Sequence, residues 1–233
     1  MEKSEVLALL EENRDERGIQ NWNRPGITTG GLKSFGIGLT KLRKLAKQIG
    51  RDRDLARTLW ETDVYEAKVI ALLIDDPRTM TRQQAETQVE ELGVGMLSHV
   101  FASCDATLAK TPFVVELADA WTRSSDIARR RCGYGLLYEV SKLTGKKAPD
   151  EGYFLDHVEH ISGTIDEEPS DVRLCMGSAL MGIGKRSATL NAAALAVAER
   201  VGPIEFESVN GKCDPFDVAK HLRTDRLAEK LSA

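Results

Sequence analysis

The sequence of 233 residues contains few cysteines and no long apolar run. Its four cysteines lie far apart and form no Cys-x-x-Cys pair, which argues against a disulfide framework and against a zinc site of the usual spacing. Its apolar runs, such as residues 69–74, are much shorter than the roughly 20 residues needed to span a bilayer. No basic and then apolar signal segment follows Met1. We therefore expect a soluble, cytoplasmic protein without a membrane partner.

Histidines are also sparse, and only His157 and His160 lie close together. No third ligand type stands out beside them, and acidic residues bracket the pair. This pattern favours an exposed polar helix face over a metal site. The sequence predicts neither a metal nor another cofactor.

Hydrophobic residues make up 42% of the chain, which is enough for a packed core and excludes an intrinsically disordered protein. The net charge is −4, but it is unevenly distributed. Residues 14–57 include eleven basic and four acidic residues, a local net charge of +7. A local excess of positive charge is what phosphate binding requires, although a solvated helix face has the same composition.

The apolar residues recur with a helical period over most of the chain. Leu39, Leu42, Leu45 and Ile49 follow spacings of three and four and end at Gly50, a typical C-terminal cap. Thr81 followed by Gln84 has the pattern of a capping box. Further helices are predicted near residues 97–109, 112–122, 126–143, 153–165, 169–183 and 187–201. Only residues 204–209 alternate as a strand would, so the predicted fold class is all-α.

The helical segments also repeat imperfectly. Trp60 and Trp121 lie 61 residues apart in similar contexts, and an Arg-x-x-x-Gly-x-x-Leu pattern at Arg129 recurs at Arg173. Such pairs of helices predict a HEAT-like (armadillo-type) helical-repeat solenoid that is curved and has a concave face. An ordinary helical bundle is the alternative. We expect a single domain over residues 1–233, with an N-terminal helix and loop at 1–30 and a C-terminal tail at 203–233.

Six further segments carry recognisable motifs, at residues 35–47, 59–77, 110–113, 130–137, 172–186 and 202–217, and together they extend over most of the chain. Taken in order, they resemble the DNA alkylation repair family, the AlkD-like HEAT-repeat DNA glycosylases. The resemblance implies the HEAT-like fold, duplex DNA carrying alkylated bases as the partner, and hydrolysis of the N-glycosidic bond of cationic alkylpurines such as 3-methyladenine and 7-methylguanine. Negative charge placed by the enzyme would stabilise the developing cation of the sugar.

The sequence departs from the family where that chemistry is expected. The segment at residues 93–101 has neither the tryptophan nor the carboxylate of active members, and Ser178 and Met181 take the places of a second tryptophan and an arginine. Asp105 is the nearest acid, and it is either the catalytic carboxylate or a solvated helix residue. His99 is either a phosphate ligand or proton shuttle, or a structural imidazole.

Cations and one aromatic residue form the predicted DNA-binding set. Arginine and lysine bind phosphates, and an exposed tryptophan in a polar loop either stacks on a base or covers the first repeat. The set is Lys41, Arg43, Lys44, Lys47, Arg130, Arg131, Arg173 and Trp22. Three functions stay open: a glycosylase, a non-catalytic protein that binds DNA through phosphates, and a helical-repeat scaffold that binds a protein partner. RNA is a further alternative to DNA.

Overall fold

The protein is described by a computed structural model that covers residues 1–103, 107–206 and 214–232. Within these ranges it forms fourteen α-helices and no strand, with isolated bridges only from Lys33 to Val64 and from Ile204 to Phe216. Every helix in the described part is too short or too polar to cross a membrane. The helices are α1 (Lys3–Glu12), α2 (Glu16–Trp22), α3 (Leu39–Ile49), α4 (Arg53–Trp60), α5 (Tyr65–Ile74), α6 (Arg82–Val89), α7 (Leu97–Ala102), α8 (Val114–Thr122), α9 (Ile127–Val140), α10 (Glu151–Thr164), α11 (Ser170–Ile183), α12 (Ala188–Val201), α13 (Val218–Leu222) and α14 (Asp225–Ser232).

The chain divides into two compact units, Met1–Phe113 and Val114–Ala233. In the first unit, α5 is the central helix and packs against α1, α3, α4 and α7. Its sequence is apolar nearly all round, as expected of a helix buried on every side, and Ala67, Val69 and Ile70 have no exposed surface. Helix α3 is amphipathic instead, with only Leu42, Leu45 and Ala46 buried. The opposite face of α3 is therefore available to solvent.

A buried carboxylate fixes the loop that precedes α3. Glu66 on α5 is fully buried, and its Oε1 accepts hydrogen bonds from the Ser34 hydroxyl at 2.7 Å and from the Ile37 amide at 3.1 Å. Its Oε2 accepts from the Phe35 amide at 3.0 Å. Buried charge is tolerated when such donors compensate it. These bonds attach the Phe-Gly-Ile segment to the central helix.

Local signals placed several helix ends correctly. Gly50 ends α3 with a φ of 80°, a conformation that glycine adopts without strain. The Thr81 hydroxyl accepts a hydrogen bond from the Gln84 amide at 3.1 Å, as a helix cap does. The Gln84 side chain, however, donates to Asp75 at 2.7 Å and does not complete a capping box.

In the second unit, α9 packs against both α8 and α11. Gly133 on α9 allows a close approach to α8, since a Cβ there would lie 2.6 Å from the Thr122 backbone nitrogen. Gly177 is its predicted repeat equivalent, and a Cβ at Gly177 would lie 2.7 Å from the Ile204 Cδ1. The repeated glycine thus serves close packing in both places.

The two tryptophans of the predicted repeat have different surroundings. Trp121 is 2% exposed and lies in the core. Trp60 is half-buried, and the Lys68 ammonium lies 4.3 Å from its ring centroid. The predicted C-terminal tail contains two helices, α13 and α14. The expectation of one domain over residues 1–233 stays a prediction.

Candidate nucleic-acid interface

Helix α3 presents four cations on its exposed side and contains no acidic residue. Lys41, Lys44 and Lys47 are exposed and Arg43 is half-buried. Lys41 donates to the Asn13 carbonyl at 3.4 Å, and among the described residues none of the four forms an ion pair with a carboxylate. Several other cations of the basic stretch are neutralised, as Lys33 is by Asp63 at 2.7 Å. The predicted positive charge is thus retained on α3.

A cavity of about 370 Å³ lies beside the C-terminal half of this helix. Its lining contains four cations and no carboxylate: Arg43, Ala46, Lys47, Gly50, Arg51, Leu73 and Lys110. The Arg43 Nε is buried and has no hydrogen-bond partner within the described residues. A buried N–H without an acceptor is costly. An anion bound in this cavity would compensate the charge of the lining residues.

Trp22 is held by contacts within the first unit. It is the last residue of α2, not part of a loop, and is half-buried. Its indole N–H donates to the Leu32 carbonyl at 3.2 Å, and its ring lies 4.6 Å from that of Tyr65. These contacts show that Trp22 packs on the first repeat, which was the alternative to base stacking. We therefore do not include Trp22 in the candidate interface.

The predicted arginines of the second unit differ in their partners. Arg130 donates to both Glu168 oxygens, at 2.6 and 2.9 Å, and to the Ser124 and Ser125 carbonyls. Four of its five N–H donors are thus occupied within the protein, which gives Arg130 a structural role, and its contact to phosphate stays a prediction. Arg131 lies 3.3 Å from Asp171, while the Nε of Arg173 is buried without a hydrogen-bond partner in the described chain. Arg131 and Arg173 stay predicted contacts.

The predicted catalytic residues are only partly described. Asp105 lies outside the described residues. His99 is exposed on α7, whose neighbouring residues Leu97, Ser98 and Val100 are buried. On α11 the Ser178 hydroxyl donates to the Leu174 carbonyl at 3.0 Å, a hydrogen bond within the same helix.

The two histidines of α10 do not share an exposed face, which corrects the prediction for His157. His157 is fully buried, and its Nε2 lies 3.5 Å from Asp119. Burial lowers the pKa of His157 to about 4, against the opposing effect of the Asp119 charge. Among the residues described, no three His, Cys, Asp or Glu side chains are grouped to hold a metal ion.

Two described cysteines are free thiols, Cys132 and Cys175. Burial raises the pKa of Cys132 to about 12 and that of Cys175 to about 11. Both thiols are protonated at neutral pH, which is unfavourable for a nucleophile.

The comparison with protein families matches residues 6–204 to the family described as DNA alkylation repair enzyme. The chain belongs to the DNA alkylation repair enzyme family. No curated protein matches the sequence. One similar solved structure is described as a new family of proteins related to the HEAT-like repeat DNA glycosylases with affinity for branched DNA structures. It has a TM-score of 0.81 and 23% identity, and the alignment covers 99% of this chain and 96% of that one.

The structural similarity confirms the predicted HEAT-like helical-repeat fold of this chain. The predicted concave face, and the convergence of α3 with Arg131 and Arg173, stay predictions. Two cations that line the α3 cavity, Arg51 and Lys110, are absent from the DNA-binding set predicted from the sequence. Arg51 belongs to the basic stretch, so its charge was a signal, whereas Lys110 is distant in sequence and only the fold brings it to the cavity.

Proposed function

We propose that this member of the DNA alkylation repair enzyme family binds DNA through backbone phosphates on the exposed face of α3 and its adjoining cavity. The observation that carries the proposal is the set of α3 cations without carboxylate partners among the described residues. Contacts to phosphate orient a protein on DNA without reading its sequence. We therefore expect affinity that depends strongly on salt and weakly on sequence.

Branched DNA belongs among the ligands to be tested, because the similar solved structure comes from a family with affinity for it. Phosphate backbones converge at a branch, so a cationic surface meets more negative charge there than on a linear duplex. We expect tighter binding to a four-way junction than to a linear duplex of equal length.

The test compares two triple variants with the same change of charge. One carries Lys41→Gln, Lys44→Gln and Lys47→Gln on α3. The control carries Lys3→Gln, Lys33→Gln and Lys220→Gln, which are exposed lysines elsewhere. Affinity for duplex and junction DNA is measured by fluorescence anisotropy between 50 and about 200 mM salt.

The plot of log affinity against log salt is expected to become shallower by about one unit for each lost phosphate contact, about three units for the α3 variant. The control should keep the slope of the parent. An unchanged slope in the α3 variant, or an equal loss in the control, would remove α3 from the interface.

Hydrolysis of alkylpurines is the second candidate, and family membership favours it. The parent protein and Asp105→Asn are incubated with methylated DNA, and released bases are quantified. Release by the parent that Asp105→Asn abolishes would support this carboxylate. Equal release by both would reject it, and no release by the parent would reject the activity.

A further inference from the structure

A second cationic cavity lies in the second unit, outside the predicted site. It has a volume of about 340 Å³ and is formed by residues of α9, α11 and α14 with the segments that follow α9 and α11. Four of its lining residues are basic and none is acidic: Tyr138, Ser141, Lys142, Thr144, Gly182, Lys185, Arg186 and Lys230. Protein surfaces usually mix charges of both signs, and this cavity is lined by positive charges alone.

The folded chain compensates little of this charge. Arg186 donates to the Ser141 and Leu143 carbonyls and lies over the Phe154 ring, 4.3 Å from its centroid. These contacts fix the guanidinium but leave its charge without a carboxylate partner in the described chain. Lys142 alone of the four basic residues forms an ion pair with a described carboxylate, that of Glu139 at 2.7 Å.

Lys185 and Lys230 add a like-charge interaction. Lys185 is half-buried and Lys230 is exposed, and neither has an acidic partner within the described ranges. Burial lowers the pKa of Lys185, and the Lys230 charge lowers it further. An anion near both ammonium groups would offset the desolvation of Lys185 and this repulsion.

The base of the cavity is closely packed. A Cβ at Gly182 would lie 2.3 Å from the Ser141 Oγ and 2.8 Å from the Tyr138 ring, so α11 contacts α9 closely here. Ser141 is buried, and its hydroxyl donates to the Tyr138 carbonyl at 2.7 Å. Lys185 and Arg186 directly follow this closely packed end of α11, so their backbone lies beside the cavity.

We propose that this cavity binds a phosphate group, with Lys185, Arg186 and Lys230 as its ligands. Cations in a partly buried cavity attract a multiply charged anion more strongly than a chloride ion. The phosphate belongs either to a nucleic-acid backbone or to a free phosphorylated compound. The site shares no residue with α3 and does not depend on the function proposed for that helix.

The test uses the full chain and pyrophosphate as the probe. Calorimetric titration of the parent should show saturable binding, and pyrophosphate should raise the unfolding temperature by mass action. Lys185→Gln combined with Lys230→Gln should weaken binding at least about tenfold, a loss of about 1.4 kcal/mol. The matched control, Lys3→Gln with Lys220→Gln, changes two exposed lysines that do not line the cavity and should bind as the parent does.

Folding of the variant is checked by its unfolding temperature without ligand, which should not fall because a repulsion is removed. Lys185→Gln alone is the second variant, and it should lose part of the temperature increase given by pyrophosphate, less than the double variant loses. The proposal is overturned if the parent does not bind pyrophosphate and the double variant also keeps the parent's salt slope for DNA. It is likewise overturned if the control loses as much pyrophosphate affinity as the double variant.

DNA titrations distinguish the two sources of phosphate. If the double variant also loses about two units of salt slope for DNA, the ligand is a nucleic-acid backbone. If it loses pyrophosphate binding and keeps the DNA slope, the ligand is a free phosphorylated compound. The α3 variant alters different residues, so the two proposals can fail independently. An unchanged salt slope in the α3 variant would reject the proposed function, while loss of pyrophosphate binding in the cavity variant would still support this site.

Discussion

Replacing Glu66 by glutamine is expected to loosen the segment that precedes α3. The change keeps the shape of the side chain and turns one acceptor oxygen into an NH₂ donor. In the least costly orientation Oε1 still accepts from Ser34 and Ile37, while the new NH₂ group faces the Phe35 amide. The Phe35 N–H then has no acceptor in a part-buried position.

The magnitude follows from these three bonds. Loss of the carboxylate charge weakens the two retained bonds, but it also removes the cost of burying a charge, and these effects oppose each other. The unsatisfied Phe35 donor remains, which costs about 1–3 kcal/mol. The control, Glu12→Gln, alters an exposed acid and should change the free energy of unfolding by less than about 0.5 kcal/mol.

Urea unfolding followed by circular dichroism measures both variants. The Glu66→Gln midpoint should lie below that of Glu12→Gln, and amide hydrogen exchange at Phe35 should accelerate. If the two variants unfold at the same midpoint and Phe35 keeps its protection, Glu66 does not anchor the segment and the reasoning is refuted.

Two further predictions concern packing and pH. Gly133→Ala should lower the free energy of unfolding by about 1–3 kcal/mol, because the new Cβ meets the α8 backbone. The control Gly163→Ala places its Cβ in open space and should leave this free energy unchanged or raise it by up to about 1 kcal/mol. Equal urea midpoints for the two variants would contradict this. Burial lowers the pKa of His157 from 6.5 to about 4, so between these values the unfolded chain binds more protons and the free energy of unfolding should decrease as the pH decreases. His157→Gln should reduce this dependence, and an unaltered pH profile would reject the assignment to His157.

The helices were predictable because their signals are local. Gly50 and Thr81 act on backbone groups within one turn, and the apolar period of α3 requires no knowledge of its neighbours. The all-α class follows from such signals alone. His157 shows the limit, because acidic neighbours in sequence suggested exposure while the packing of the second unit buries the ring.

Individual site residues depended on contacts that are distant in sequence. Arg130 and Arg131 look alike in the sequence, yet α9 directs them differently and Glu168, 38 residues away, pairs with Arg130. Trp22 resembled an exposed loop residue until its contact with Tyr65 was known. Sequence pattern therefore found the charge on α3 but did not determine which cations elsewhere are free.

Binding and hydrolysis place different demands on a member of this family. Hydrolysis needs negative charge held beside the sugar, and binding needs positive charge facing phosphates. Residues 93–101 supply no carboxylate, and Ser178 and Met181 stand where the family resemblance implies an aromatic residue and an arginine. The α3 cations, by contrast, are present and have no carboxylate partners in the described chain. Because the two features rest on different residues, the proposed DNA binding does not require hydrolysis of the N-glycosidic bond, and the base-release assay with Asp105→Asn tests the hydrolysis separately.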